Sequence, residues 1–196
     1  MIPIKTISPS SITTFDDCPM KWFLSYALGY REPSGKAAAI GTMGHYVLEC
    51  VAKAKKLRQD NRKWQKDKIV GTIRTKYKIS DFIDKVYAHF SEKESHLEWS
   101  DKDKKDLTRS IYKAKDHKLF PENHHEIVAT ERFFNLPIEE PWAKYSYLEK
   151  GKIKEGKLHV RGIIDLVYLD NEQNLNYLDY KFGKPRDWVT GKDKNI

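Results

Sequence analysis

The sequence predicts an α+β fold on three observations. Apolar residues recur at helical spacing from Ser8 to about Leu119, the texture turns to β-branched and aromatic runs after Pro121, and no repeat or low-complexity linker divides the two stretches. The economical organisation is one domain over residues 1–196, with a helical part over about 8–119 and a strand-rich core over about 121–186. A hydrophobic content of 39%, with five Trp, eleven Tyr and eight Phe, argues for a folded protein rather than a disordered one despite the high charge.

The elements follow in order. In SPSSITTFDDCPMKWFLSYALGY, Ser8 or Ser10 can cap a first helix, Pro19 restarts it, and Trp22, Phe23 and Tyr26 lie at helical spacing. The next helix is expected over Ala37 to Leu57, with others near 63–78, 81–92 and 102–118, separated by Gly, Ser and Asp breakers. EIVATERFFNLPI, KLHVRGIIDLVYL and LNYLDYKF read as strands, with a weaker one near Ala143–Glu149. The strands form a meander whose buried face the helices cover.

Charge is concentrated. The net charge is +8, yet residues 52–78 alone carry eleven Lys and Arg against Asp60 and Asp67, so the rest of the chain is close to neutral. Lys55, Lys56, Arg58, Arg62, Lys63, Lys66 and Lys68, interleaved with Trp64 and followed by Tyr77, suit a polyanion whose phosphates they would neutralise; a solvated helix face is the plainer alternative. No apolar run is long enough for a membrane span, and MIPIKTISPS lacks the apolar centre of a signal peptide, so a cytoplasmic protein is expected. Cys18 and Cys50 are too few for a disulfide scaffold or a four-cysteine metal site within this chain.

Residues 161–185, RGIIDLVYLDNEQNLNYLDYKFGKP, place an aspartate in each of two apolar strands. A hairpin turning near Glu172 sets Asp165 opposite Asp179. Ile163, Asp165, Val167, Tyr177, Asp179 and Lys181 then share one face, while Ile164, Leu166, Leu178, Tyr180 and Phe182 share the other. Opposed carboxylates need a cation; Lys181 is one, and Mg²⁺ or Mn²⁺ with hard oxygen ligands is another. An ordinary Asp–Lys salt bridge at a strand edge is the alternative. Gly41, His45 and Glu49 fall on one helix face at i, i+4, i+8, and Glu131 is an acid in an otherwise apolar strand.

The order SPSS…TTFDDCPMKWFLSYALG, IGTMGH, ATERFF, RGIID, LDYKFGK resembles the RecB-type nuclease domain of the PD-(D/E)XK superfamily, a group that includes phage exonucleases and CRISPR-associated iron–sulfur nucleases. The resemblance runs from about residue 7 to 186 and implies a restriction-endonuclease-like core: N-terminal helices, then a small mixed sheet carrying an active-site hairpin. It places metal ligands on His45, Asp165 and Asp179, Glu131 as an outer or additional ligand, and the catalytic lysine on Lys181, with Ile164 where the superfamily's name has proline. Cys18 matches the first cluster cysteine of the iron–sulfur members, but the later trio is absent, so no iron–sulfur cluster is expected. The family's following helix, with its Gln and Tyr, is expected to be missing, since the sequence stops at Ile196.

The expected function is therefore a Mg²⁺- or Mn²⁺-dependent DNA nuclease, exonuclease-like on single strands or ends, in the setting of repair, recombination or a phage and its host's cytoplasm. Asp165, Asp179 and Lys181 would be catalytic, and the basic segment would hold DNA without sequence preference. A non-catalytic nucleic-acid-binding or assembly module with the same fold competes with it, and a hydrolase of some other phosphate ester would leave the basic block unexplained.

Overall fold

The computed structural model describes residues 4–30, 33–118 and 120–182. Its helices and mixed sheets make it an α+β protein. The chain forms two compact units: one takes the described residues up to Pro33 with Arg132–Ile164, the other Ser34–Glu131 with the described residues from Asp165 onward. No helix among the described residues is long and apolar enough to cross a membrane.

In the first unit, β1 (Thr6–Ile7) leads into α1 (Pro9–Asp17). Ser8 caps that helix in a reciprocal box with Ser11, and Pro9 occupies the first turn, where a missing N–H costs nothing. Cys18 turns extended and Pro19 opens α2 (Pro19–Trp22), which loosens into a π-helical turn over Phe23–Ala27. A two-stranded hairpin, β5 (Lys144–Glu149) with β6 (Lys152–Lys157), closes on Lys150-Gly151, both at positive φ as its tight turn demands. Only the first of these strands is foreseen from the sequence; Lys152–Lys157 is too polar to read as one.

The second unit is organised on α3 (Lys36–Gln59), whose alanines and long side chains favour helix. It ends where Asn61 turns left-handed at φ 54 and the Arg62 N–H reaches back to the Leu57 carbonyl, the bond that closes a helix terminus. α4 (Ile79–Lys93) and α5 (Asp101–Lys115) pack on it and bury Phe82, Ile83, Val86, Leu107 and Ile111 against Met43, Val47, Leu48, Val51 and Leu57.

Between α3 and α4 the expected helix at 63–78 is instead a hairpin, β2 (Trp64–Asp67) with β3 (Gly71–Arg74), in register Trp64↔Arg74 to Asp67↔Gly71. Turn chemistry decides it. The Asp67 carboxylate accepts both the Ile69 and Val70 amides at 2.9 Å, and Gly71 takes φ 77. β-Branched Val70, Thr72 and Ile73 then favour the strand over the helix that amphipathic spacing suggests.

Two strands run from one unit into the other: β4 (Glu126–Pro137) passes at Glu131 and β7 (His159–Leu169) at Ile164. β7 is hydrogen-bonded to β4, to β1 in parallel through Thr6↔His159, and to β8 (Leu175–Leu178) antiparallel through Leu166↔Leu178 to Leu169↔Leu175. The β7–β8 register is the one that the turn centre predicts. The Asp170 carboxylate sets it by accepting the Glu172 and Asn174 amides, each at 2.9 Å.

Candidate active site

The residues singled out by the sequence lie in the second unit, on α3, the unit's end of β4, β7 and the segment after β8. Asp165 opens a run of four buried residues, Asp165 to Tyr168, the pattern of a strand covered on both faces. A carboxylate at 8% exposure must be bonded, and this one is: it accepts the Tyr180 N–H at 2.6 Å and lies 3.1 Å from His45 Nδ1. Burial pushes the Asp165 carboxyl up, but the bonds from His45 and the Tyr180 amide, with the His45 and Lys181 charges, outweigh burial and hold it below the usual range. Burial likewise pushes His45 down, and the bond and charge of Asp165 with the charge of Asp179 raise it overall, against a smaller opposing effect of Lys181. Both shifts favour a charged His45–Asp165 pair.

The opposed aspartates therefore find different partners. β8 ends at Leu178, so Asp165 and Asp179 stand one step beyond the last register pair. Asp179 and Lys181 turn outward and pair with each other at 2.7 Å, both well exposed, while Tyr180 turns inward. The strand alternation is as the sequence predicts. What differs is that Asp165 and Val167 are buried at 8% and 5%, although Ile163 and Tyr177 on the same predicted face are open.

Carboxylates crowd the other side of the pair. Glu49, one turn beyond His45 on α3, is nearly buried and ion-paired with Lys53 a further turn on. Glu131 is pushed up to about 7 by burial and by the charges of Glu49 and Asp165, with His45 and Lys53 opposing. Its backbone takes φ 50 in the middle of β4, a left-handed conformation that costs about 1–2 kcal/mol for a residue with a Cβ. Lys53 also stands 4.0 Å from Asp67, whose carboxylate accepts the Tyr46 hydroxyl at 2.8 Å in addition to the turn amides. The hairpin turn is thereby tied to α3, and through Lys53 to Glu49.

Among the described residues no three His, Cys, Asp or Glu side chains converge closely enough to hold a metal ion. The donor types nonetheless suit a hard divalent cation: Glu49, Glu131 and Asp165 offer carboxylate oxygens and His45 an imidazole, and a cation would offset the burial and like-charge effects that raise Glu131.

Tyr180, the middle residue of the D-Y-K triplet, is the member that sequence reasoning passed over as an apolar-face residue. It is 5% exposed, stacks on Phe120 at 6.3 Å and meets His45 edge-on at 5.7 Å. Its hydroxyl is buried with no hydrogen-bond partner among the described residues, and burial followed by the charges of Asp165, Glu131 and Glu49 holds its proton on strongly. Beside it Phe182 seats on α3 at Gly44, where a Cβ would come within 2.5 Å of the ring. Lys53 and Asp67 were visible only as members of the basic block; the spacing 45, 49, 53 was the signal that could have found Lys53.

That block divides in the structure. Lys55 and Lys56 donate to the carbonyls of Pro121 and Ile127, and Arg58 to that of Thr75, whereas Arg62, Lys63, Lys66 and Lys68 are exposed on and around the hairpin, with Trp64 among them at 55% exposure. Its second half is thus a strand hairpin and not the basic helix expected.

A search of curated proteins found no match to this chain. A family model described as the PD-(D/E)XK nuclease superfamily matches residues 6–194, nearly the whole length. A match over that length shows the family, and the chain belongs to the PD-(D/E)XK nuclease superfamily.

Proposed function

We propose that the protein is a metal-dependent DNA nuclease of the RecB type, exonuclease-like on single strands or DNA ends, its two units acting as one catalytic domain. The observation that carries the reading is the buried Asp165, set between His45 and the Tyr180 amide, with Glu49 and Glu131 interacting beside it. Asp165, Asp179 and Glu131, with His45, are the residues that would hold Mg²⁺ or Mn²⁺. Such a cation, when bound, supplies Lewis-acid stabilisation of the scissile phosphate and a more acidic water.

The chain's own groups do the rest. Lys181, held by Asp179 and largely exposed, orients the attacking water or stabilises the charge that develops on the phosphate. His45 steadies Asp165 until a cation is present. Arg62, Lys63, Lys66 and Lys68 on the hairpin, with Lys55, Lys56 and Arg58 on α3, neutralise backbone phosphates, so binding is independent of sequence and weakens steeply with salt.

The test is incubation of the folded protein with end-labelled single- and double-stranded DNA and Mg²⁺ or Mn²⁺. Intact DNA under all conditions would overturn the reading. A non-catalytic binding module is the second reading, and the observation in its favour is that one oxygen of Asp165, Oδ2, is already engaged by both the Tyr180 amide and His45. It predicts salt-sensitive DNA affinity with no rise in melting temperature on adding either cation.

A further inference from the structure

A cleft of about 780 Å³ opens in the second unit between the C-terminal third of α3, the segment after β3 and the end of α5. Lys55 and Arg58 reach it from α3, Lys76 from the segment after β3, and Lys115 and Lys118 from the end of α5 and just beyond. Asp116 and Glu122 are its acids, so the lining is cationic in balance. Cations at the ends of α3 and α5 complement the helix dipoles, which accounts for Arg58 and Lys115 one at a time. It does not account for cations from three separate segments sharing one concave surface.

These side chains are anchored by other residues of the same lining. The Lys55 stem crosses the Phe120 ring with its ammonium 4.9 Å from the centroid and gives one hydrogen bond to the Pro121 carbonyl. Arg58 gives one to the Thr75 carbonyl at 3.1 Å, and Lys115 is held by Asp116 at 2.5 Å. A lysine has three donors and an arginine five, so each anchor fixes the group in place while most of its donors remain for something else. Much of the ordering cost of binding an anion is thus met by the fold.

We infer that this cleft is a phosphate-binding subsite, distinct from the acidic cluster around Asp165, which grips the backbone of a nucleic-acid strand through Lys55, Arg58 and Lys115. The inference rests on the proposed nuclease function for the identity of the strand; the cation geometry itself calls only for phosphate. Mutual repulsion is already present: the Lys55 ammonium is pushed down by burial and then by Lys115 and Arg58, and the same two cations pull against the burial that raises Tyr77. An anion in the cleft removes that repulsion. Along α3, residues 55–58 lie about 9–14 Å from Glu49 at 1.5 Å per residue, so a strand held there has its next nucleotides within reach of the acids.

The experiment measures binding of a labelled single-stranded oligonucleotide to the full chain in EDTA, where no cleavage occurs. Lys115→Glu and Arg58→Glu should each weaken binding about tenfold and reduce the dependence of log affinity on log salt by about one. Lys102→Glu, an exposed change in the first turn of the same α5, should alter neither. Lys115→Gln provides a milder variant should a reversal fail to fold, with several-fold weakening expected. Folded cleft variants that bind like the wild type, or a Lys102→Glu variant that loses as much, overturn the subsite. Inorganic phosphate should compete with the strand in the wild type and less in Lys115→Gln; phosphate that binds without displacing the strand overturns the strand assignment. Cleavage with Mg²⁺ or Mn²⁺ is scored separately. Absent cleavage with variant-sensitive binding defeats the nuclease reading alone, and cleavage with variant-insensitive binding defeats the subsite alone.

Discussion

The two units treat their large apolar side chains in opposite ways. In the second, Met43, Val47, Leu48, Ile83, Leu107, Ile111 and Leu166 are essentially sealed, and every residue of the continuous buried cluster belongs to that unit. In the first, Ser11 and Ala143 are the fully buried residues among those described, while Leu148, Ile153, Trp142 and Met20 stand 65–73% exposed. A hydrogen-bonded strand or a capped helix can be kept with little core, but its contribution to global stability is correspondingly small. Stability and the acidic cluster are thus vested in the same unit, and a substitution there risks both.

The comparison can be broken first at β7, where the units divide between Ile164 and Asp165. Asp165→Asn should lower DNA cleavage by at least about a hundredfold, whereas Ile163→Ser, two residues upstream and 59% exposed, should leave it within about twofold. Equal losses at both positions would show that the chemistry is not centred on the acidic cluster around Asp165. Leu48→Ala should cost about 2–5 kcal/mol by urea or thermal unfolding, against a change within about 0.5 kcal/mol for Leu148→Ser. A large loss for Leu148→Ser would mean that its surface is covered in solution.

Smaller effects sharpen the picture inside the second unit. Tyr46→Phe removes a hydroxyl bonded to the Asp67 carboxylate and should cost about 1.5–3 kcal/mol, seen as a lower urea midpoint at neutral pH. Burial raises the Asp67 carboxyl, but the Val70 and Ile69 amides, Tyr46 and Lys53 lower it by more, so its folded pKa lies below its unfolded one. The stability it confers is therefore complete above the unfolded value and drains as pH falls through the folded one. Asp67→Asn should flatten the fall in melting temperature below about pH 5; an unchanged acid limb would show that the carboxylate is not what ties the hairpin to α3.

Much of the acidic cluster is legible in the sequence. The β7–β8 register followed from the turn centre because the side-chain period of a strand is two and Asp170 fixes the turn, and His45 with Glu49 followed from helical spacing. The choice of partner by Asp165 was not legible, because it depends on how a helix more than a hundred residues earlier lies against the strand. The Trp64–Arg74 hairpin is not legible in amphipathic spacing, which suggests a helix, because it is specified by an aspartate that satisfies two turn amides and a glycine that goes left-handed. β1, only two residues long, and the polar β6 carry almost no signal of their own and are specified by the neighbours they pair with.

The seating of Phe182 on Gly44 has a consequence for folding fidelity. A one-residue slip of the 179–182 segment would exchange its faces and present Asp179 and Lys181 to α3 in place of Tyr180 and Phe182. The glycine notch lies between fully buried Met43 and His45, whose ring centroid is 5.6 Å from that of Phe182, so it is shaped for a flat apolar ring. The notch therefore acts as a gauge for the segment, admitting the aromatic ring and rejecting the charged neighbour, so that errors in alignment are penalised at the place where an error would displace the lysine.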